Sequence, residues 1–435
     1  MLRPGARVRI RTKKGLTLEG LVLPRYELYS KEHITLKLDN GYNVGVKLED
    51  IVEVNPIESR PSVGSAYGEV IAELPKVAKE LPEVLVVGTG GTIASRIDYE
   101  TGGVKPTLSA EELMRALPEL AEIARLETIS LFNILSENME PRLWSELAER
   151  ILDELEKGDA AGIVVTHGTD TMAYTAAALS FALRRLPAPI ALVGAQRSSD
   201  RPSSDAALNM LSAVLYALSD FGEVAVVMHG EIGDTYALAH RGVRVRKMHA
   251  SRRDAFQSIG SRPLAKIFPL EKRVMPLRSD YARRAPRGLL EARTRFEEKV
   301  ALVKYYPGMS SELLDFLVDR GYRGVVIEGT GMGHVAERLV PSVRRAVEQG
   351  TVVVVATQCI FGSVDLYVYS TGRKLLEAGA MPAGNMLAET AYVKLSWLLG
   401  NLNDEREVVA LFRENLVGEY EPRELTSYFP RWDHG

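Results

Sequence analysis

From position 83 onward the chain repeats one pattern: a short continuous apolar run, a loop of Gly and small polar residues, then apolar positions three and four apart. Runs bounded in this way predict buried parallel strands, each followed by an amphipathic helix. Strands are predicted at 84–87, 127–132, 162–166, 190–193 and 224–228. Helices are predicted at 109–117, 141–157, 171–185 and 203–218, the second with Pro at its start. The pattern lapses at about 270–295, where Tyr281-Ala-Arg-Arg-Ala-Pro-Arg287 reads as linker. A smaller set follows, with strands at 300–305, 324–327 and 351–356 and helices at 313–320, 335–349 and 384–399. Such alternation predicts an α/β body in two parts, with parallel sheets covered on both faces.

Residues 1–55 follow a different period. Arg7-Val-Arg-Ile-Arg and Ile34-Thr-Leu-Lys-Leu alternate every second residue, with turn signals at Lys14-Gly15 and Asn40-Gly41. Four or five short strands predict a small all-β barrel of the SH3 or Sm-like kind. Its cluster of Arg7, Arg9, Arg11, Lys13 and Lys14 could touch RNA, or could be the solvated face of a charged edge strand. The segment 56–82 is a Pro/Ser/Gly linker with a short helix at 73–79. The expected divisions are therefore 1–55, linker 56–82, 83–270, linker 271–295, 296–420 and a tail at 421–435.

Composition narrows the chemistry. A net charge of −3 over 435 residues makes the chain a poor principal partner for nucleic acid. The single cysteine, Cys359, excludes an intrachain disulfide and a cysteine-rich zinc site, and its apolar setting reads as a small buried core residue. The start has no apolar signal-peptide core and no run is long enough to span a membrane, so a cytoplasmic protein is expected.

Two loops stand out. Gly88-Thr-Gly-Gly-Thr-Ile93 is no dinucleotide fingerprint, because Ile93 replaces the third small residue, and no P-loop, because no Gly-Lys-Ser/Thr follows. It offers Thr92 on a Gly-Gly turn at a helix start, where N–H groups could stabilise an oxyanion. Taken alone, Thr92 reads as a helix N-cap. His167-Gly-Thr-Asp-Thr171 places Thr169 and Asp170 after the 162–166 strand, where Asp170 or Thr171 could simply cap the next helix. His167 reads as a hydrogen-bonded structural histidine. A threonine nucleophile needs a base, and a desolvated Lys oriented by a carboxylate can serve. Lys247 is one candidate among many, and spacing does not single it out.

Thr-Gly-Gly-Thr-Ile at 89–93 with His-Gly-Thr-Asp-Thr at 167–171 resembles the two signatures of bacterial-type L-asparaginases. The likeness continues in Asn133-Ile-Leu-Ser-Glu-Asn-Met139, Val193-Gly-Ala-Gln-Arg197, Ser204-Asp205 with Asn209, and Lys247 nine residues before Phe256. The resemblance covers about 83–400. It implies a two-domain fold in which Thr92 attacks a side-chain amide and Thr169, Asp170 and Lys247 form the activating set, with Lys247 as proton acceptor. It also implies that Ser136, Glu137 and Thr89 hold the substrate's amino-acid end. Glu137 stands where the family usually has Gln, and the family's mobile-loop Tyr has only Tyr99 as a counterpart here.

Plain asparaginases have nothing like residues 1–80. An asparaginase body behind a small barrel resembles the D-subunit family of archaeal Glu-tRNA(Gln) amidotransferases. That resemblance implies a glutaminase needing no cofactor of its own. It would supply ammonia to an E subunit that uses ATP and Mg²⁺ and carries most of the contact with Glu-tRNA(Gln), in a heterotetramer built on a homodimer core. A free-standing L-asparaginase with an accessory domain is the alternative. An inert RNA-binding adaptor is a third reading, disfavoured because Thr92, Thr169, Asp170 and Lys247 are all retained.

Overall fold

Period-two alternation in the N-terminal unit resolves into five antiparallel strands: β1 (Arg7–Thr12), β2 (Thr17–Val22), β3 (His33–Leu38), β4 (Asn43–Lys47) and β5 (Ile51–Pro56), in the order β4-β3-β2-β1-β5. This computed structural model describes residues 2–3, 6–23, 32–38, 43–57, 78, 80–91, 96–97, 104–105, 113–114, 117–197 and 203–429. Val8 and Ile10 of β1 point inward onto Val22, Ile34, Leu36 and Val46. Arg9 and Arg11 point outward. The charged-edge expectation for β1 fails: β1 is an interior strand, hydrogen-bonded to both β2 and β5. Both neighbours supply carboxylates, so Arg9 pairs with Glu19 and Arg11 with Glu53 at 3.0 Å. The predicted helix at 73–79 falls outside the described residues except for Ala78, which is not helical. Of the helix at 109–117, Leu113 and Met114 are described as helical and Leu117 as irregular.

Continuous apolar runs give the central sheet. Its parallel part contains β6 (Glu83–Gly90), β7 (Arg125–Ile134), β8 (Gly162–Thr166), β9 (Ile190–Val193) and β10 (Val224–His229). Helices α1 (Pro141–Lys157), α2 (Met172–Ala182) and α3 (Ala206–Ala217) cover it. α1 shows the logic: Leu143, Trp144, Leu147, Ala148, Ile151 and Leu155 recur on one face and are buried. Each such large side chain contributes roughly 2 kcal/mol of burial.

The sheet is mixed rather than wholly parallel. After β10 come antiparallel strands β11 (Ala237–Arg241), β12 (Ala265–Phe268) and β13 (Arg273–Pro276), completing the order β13-β12-β11-β10-β9-β8-β6-β7. β13 lies in the stretch read as patternless, because an edge strand that is half-exposed carries no buried run. α2 stops three residues before the predicted end, since Leu183–Arg184 pair instead with Glu291–Ala292.

The second α/β unit holds a parallel sheet of β14 (Val300–Lys304), β15 (Gly324–Gly329), β16 (Val352–Thr357) and β17 (Met381–Pro382). Its helices are α4 (Glu312–Asp319), α5 (Val340–Glu348), α6 (Ser370–Glu377), α7 (Ala388–Asn401) and α8 (Glu405–Phe412). α5 begins later than predicted, with Pro341 in its first turn after a short 3₁₀ turn at Glu337–Leu339. Cys359 is exposed, not buried, because the apolar run of β16 ends at Thr357 and the chain has already left the sheet. α2 and α7 meet across the two units, where Phe181 stacks on Trp397 at 5.7 Å between ring centroids. One buried apolar cluster therefore joins both lobes.

Candidate active site

Strand order decides where a ligand can sit. β7 lies on one side of β6 and β8 on the other, so the chain reverses direction across the sheet at β6. In open α/β sheets the loops leaving the carboxyl ends of such a strand pair, here β6 and β8, bound the crevice in which ligands sit. The two hydroxyl-rich loops are those loops.

They touch through backbone. Gly90 and Gly91 have φ of +116° and +82°, values that favour glycine. A Cβ on Gly91 would lie 2.6 Å from the Gly168 nitrogen, and one on Gly90 would lie 2.2 Å from the Ile134 oxygen. Only glycines let three loops converge so closely. Thr89, buried at the end of β6, donates its hydroxyl to the Thr166 carbonyl at 2.8 Å, tying the ends of β6 and β8 together. Thr92, next in the chain after Gly91, lies outside the described residues, as does Tyr99.

Ser136 is buried on the turn after β7 and abuts Gly168, where an added Cβ would come within 2.7 Å of the serine hydroxyl. Glu137, beside it, is exposed. Thr171 is the N-cap residue of α2, yet its hydroxyl donates to the Ser136 carbonyl at 2.6 Å rather than to the helix. The loop after β9 backs the site from a third side, with Gly194 against the Thr169 methyl. Asp205 holds that loop by accepting the N–H groups of Gln196 and Arg197 at 3.0 and 2.9 Å, and the Asn209 amide at 2.9 Å.

Lys247 arrives from far away in sequence. After β11 the chain turns at Gly242, which packs on Ser180 and Ala176, and runs back along α2. A two-stranded hairpin of Val245–Lys247 with Phe256–Ser258 then brings Lys247 to the amino end of that helix. There Nζ donates to Thr169 Oγ1 at 2.8 Å and to Asp170 Oδ1 at 2.7 Å. Lys247 is mostly buried and Asp170 largely exposed, so the pair is wet on one side. Of the expected residues, Thr169, Asp170 and Lys247 thus meet in one contact set, and Ser136 and Thr89 frame it.

His167 is held differently. It is fully buried, and desolvation lowers its pKa from 6.5 to about 4. Trp144 Nε1 donates to Thr175 Oγ1 at 3.1 Å, Thr175 meets His167 Nε2 at 2.9 Å, and His167 Nδ1 meets the Gly168 carbonyl at 2.7 Å. A neutral ring protonated at Nδ1 satisfies all three, with donation running from Trp144 to Gly168. With both ring nitrogens engaged by Gly168 and Thr175, the histidine props the loop. Neither Thr175 nor Trp144 stands out in the sequence as a support for the site, because each meets His167 only in the folded chain.

A cavity of about 840 Å³ lies at the opposite end of the strands, near Glu223, Arg241 and Arg278. Its arginines are already paired with carboxylates, including Arg241 with Glu223 and Arg278 with Glu421. It is remote from the loops that meet at Lys247. Among the described residues no group of three or more His, Cys, Asp or Glu side chains is placed to hold a metal ion. No described helix is long and apolar enough to cross a membrane.

Family profiles divide the chain along these lines. Residues 83–279 match "Asparaginase, N-terminal", 299–412 match "Glutaminase/Asparaginase C-terminal domain", and 2–57 match "GatD N-terminal domain". The D subunit of the glutamyl-tRNA(Gln) amidotransferase of Pyrococcus furiosus is 54% identical over 415 residues, which is 95% of this chain and 93% of that one. The corresponding D subunit from Aeropyrum pernix is 52% identical over 421 residues, 96% of this chain and 97% of its own. The chain belongs to the D-subunit family of glutamyl-tRNA(Gln) amidotransferases. The asparaginase-type profiles cover its body, and solved asparaginases match about that share of the chain. The thermostable L-asparaginase from Thermococcus kodakarensis matches with a TM-score of 0.69 and 34% identity, covering 78% of this chain and 100% of its own. L-asparaginase I from Vibrio cholerae gives 0.67 and 26% identity over 78% of this chain and 99% of its own.

Proposed function

We propose that this member of the D-subunit family hydrolyses L-glutamine at the crevice between β6 and β8 and supplies the ammonia to a partner E subunit. The contact of Lys247 Nζ with both Thr169 Oγ1 and Asp170 Oδ1 carries the reading. A threonine hydroxyl is a weak nucleophile until a base takes its proton. In this proposal Thr92 attacks the glutamine side-chain carbonyl, and the Thr169–Lys247–Asp170 set receives the proton and returns it to the departing nitrogen. Ammonia leaves, and water cleaves the acyl-threonine to release glutamate. Ser136 and Thr89, with Glu137 at the rim, hold the amino-acid end, and Tyr99 is the counterpart of the family's loop tyrosine. The partner converts Glu-tRNA(Gln) to Gln-tRNA(Gln) with ATP and Mg²⁺ and makes most of the tRNA contact, in a heterotetramer on a homodimer core in the cytoplasm.

Coverage favours this over a free-standing asparaginase: the amidotransferase relatives span the barrel as well as the body, whereas the asparaginase structures span only the body's share. The test is ammonia release from glutamine and from asparagine, by the chain alone and with E subunit, Glu-tRNA(Gln), ATP and Mg²⁺. Glutamine turnover should rise sharply only with the full set. Thr92→Ala and Lys247→Ala should each abolish it while leaving the circular dichroism spectrum unchanged. Brisk asparagine turnover by the chain alone would support the asparaginase instead.

A further inference from the structure

Lys247 belongs to the first lobe, but the strand that carries it is fastened to the second. Thr390, in the first turn of α7, donates its hydroxyl to the Val243 carbonyl at 2.9 Å. Arg244, almost wholly buried, sends Nη1 to the Asn385 carbonyl at 2.7 Å and to the Glu419 carbonyl at 3.1 Å. Arg246 Nη1 meets Glu389 Oε1, also in the first turn of α7, at 2.8 Å. Three anchors within four residues end immediately before the lysine.

Strand geometry makes the last anchor the one that aims. Side chains alternate along a strand, so Arg246 and Lys247 leave on opposite faces. One face is locked to α7, and the other projects Nζ at Thr169 and Asp170. Glu389 is well placed to hold its partner: a carboxylate in the first turn of a helix is favoured by the helix dipole. Its second oxygen, Oε2, is buried without a hydrogen-bond partner, so Arg246 is the cation that offsets its charge. Glu328 of β15 faces the same cluster, its pKa raised by burial and then by Glu389. Tyr174 of α2 also senses both Glu389 and Arg246. The pair is thus a charged pin where α2, the Lys247 strand, β15 and α7 converge.

We infer that Arg246, pinned to Glu389 of the second lobe, is a positioning residue for Lys247, so that the contact between lobes sets the reach of the proton acceptor. The inference rests on the reading of Lys247 as that acceptor. Removing the pin loosens the lysine relative to Thr169 without touching Ser136, Glu137 or Thr89. Misplacement of a reacting group by about 1 Å costs on the order of a hundredfold in rate. The loss should fall on turnover and leave substrate binding nearly alone.

The test measures glutamate release by the full chain with E subunit, Glu-tRNA(Gln), ATP and Mg²⁺. For Arg246→Met, kcat should drop roughly ten- to hundredfold while KM for glutamine stays within about twofold. Glu389→Gln, which keeps the side-chain shape, should do the same if Arg246→Met fails to fold. Exchanging the charges, Arg246→Glu with Glu389→Arg, should restore kcat to within several-fold of wild type, a rescue that a general loss of packing would not show. Wild-type kcat in Arg246→Met, or an exchanged pair no better than the single variants, overturns the proposal. Lys247→Ala runs alongside: full activity there refutes the acceptor reading itself, whereas an inactive Lys247→Ala with a normal Arg246→Met refutes only the pin.

Discussion

Two buried histidines make this protein's stability depend on pH in a definite direction. Desolvation lowers His167 to about 4 and His240 to about 3. His240 sits in β11 with Nδ1 on Ser258 Oγ at 2.9 Å, while its Nε2 is buried without a partner. In the unfolded chain both titrate near 6.5. Above that pH neither state binds the proton and the native state bears no penalty. As pH falls from about 6.5 toward 4, the unfolded chain takes up protons that the native chain refuses, so stability is lost. A depression of the size seen for His167 corresponds to roughly 3 kcal/mol once fully expressed. The urea midpoint should therefore fall between pH 7 and pH 5. His240→Leu should flatten that fall relative to wild type, even though losing the Ser258 contact lowers its stability at pH 7. An identical pH slope in the variant would show that His240 does not bind its proton differently in the two states.

At the level of elements, the segment after α8 acts as a strap between the lobes. Lys394 on α7 is completely buried, and burial lowers its pKa against the opposing pull of Glu419. Its Nζ donates to the Phe412 and Glu414 carbonyls at 3.0 and 2.5 Å and to Glu419 Oε1 at 2.5 Å. Glu419 in turn accepts the N–H groups of Leu416 and Val417. Every member of this network is satisfied, so breaking one side is costly. Lys394→Met alone leaves a carboxylate buried without its cation and should cost roughly 3–5 kcal/mol. Lys394→Met with Glu419→Gln should recover most of that loss, since the amide oxygen can still accept from the backbone. Chemical denaturation of the three proteins checks it, and equal losses in single and double variants would contradict it. None of this strap is legible in the sequence. Strands β6, β8 and β9 can be read because each holds an unbroken apolar run, and α1 because its apolar face recurs every third or fourth residue. The alternation of strand and helix patterns does not reveal α6 or α8, and Lys394 reads as an ordinary surface lysine in any local window. Lys247 and Arg246 are equally mute alone: their partners are Asp170 and Glu389, far off in the chain. Family signatures supply the lysine, whereas the arginine emerges only from the folded lobes.

Across the whole molecule, the question is what residues 1–57 add to a body that resembles complete asparaginases. β1 to β5 bury their own core of Val8, Ile10, Val22, Ile34, Leu36 and Val46, a mark of a unit that folds without help from the body. Its outward arginines are already matched, Arg9 by Glu19 and Arg11 by Glu53. Exposed pairs of this kind contribute little to stability, and they lower the net positive charge offered to a phosphate backbone. Residues 1–57 carry ten Lys and Arg against seven Asp and Glu, so most of the positive charge is offset, which suits docking on a protein better than gripping RNA. Deleting 1–57 should then leave the crevice of β6 and β8 unaltered and spare any hydrolysis of glutamine that occurs without tRNA. Stimulation by E subunit and Glu-tRNA(Gln) should fall severalfold or more. Affinity for the E subunit, measured without tRNA, should weaken in parallel. Arg9→Glu and Arg11→Glu in the full chain should instead have small effects on tRNA-dependent turnover and on its dependence on salt. If those two changes abolish stimulation while binding to the E subunit persists, the domain reads tRNA directly and the docking role is wrong.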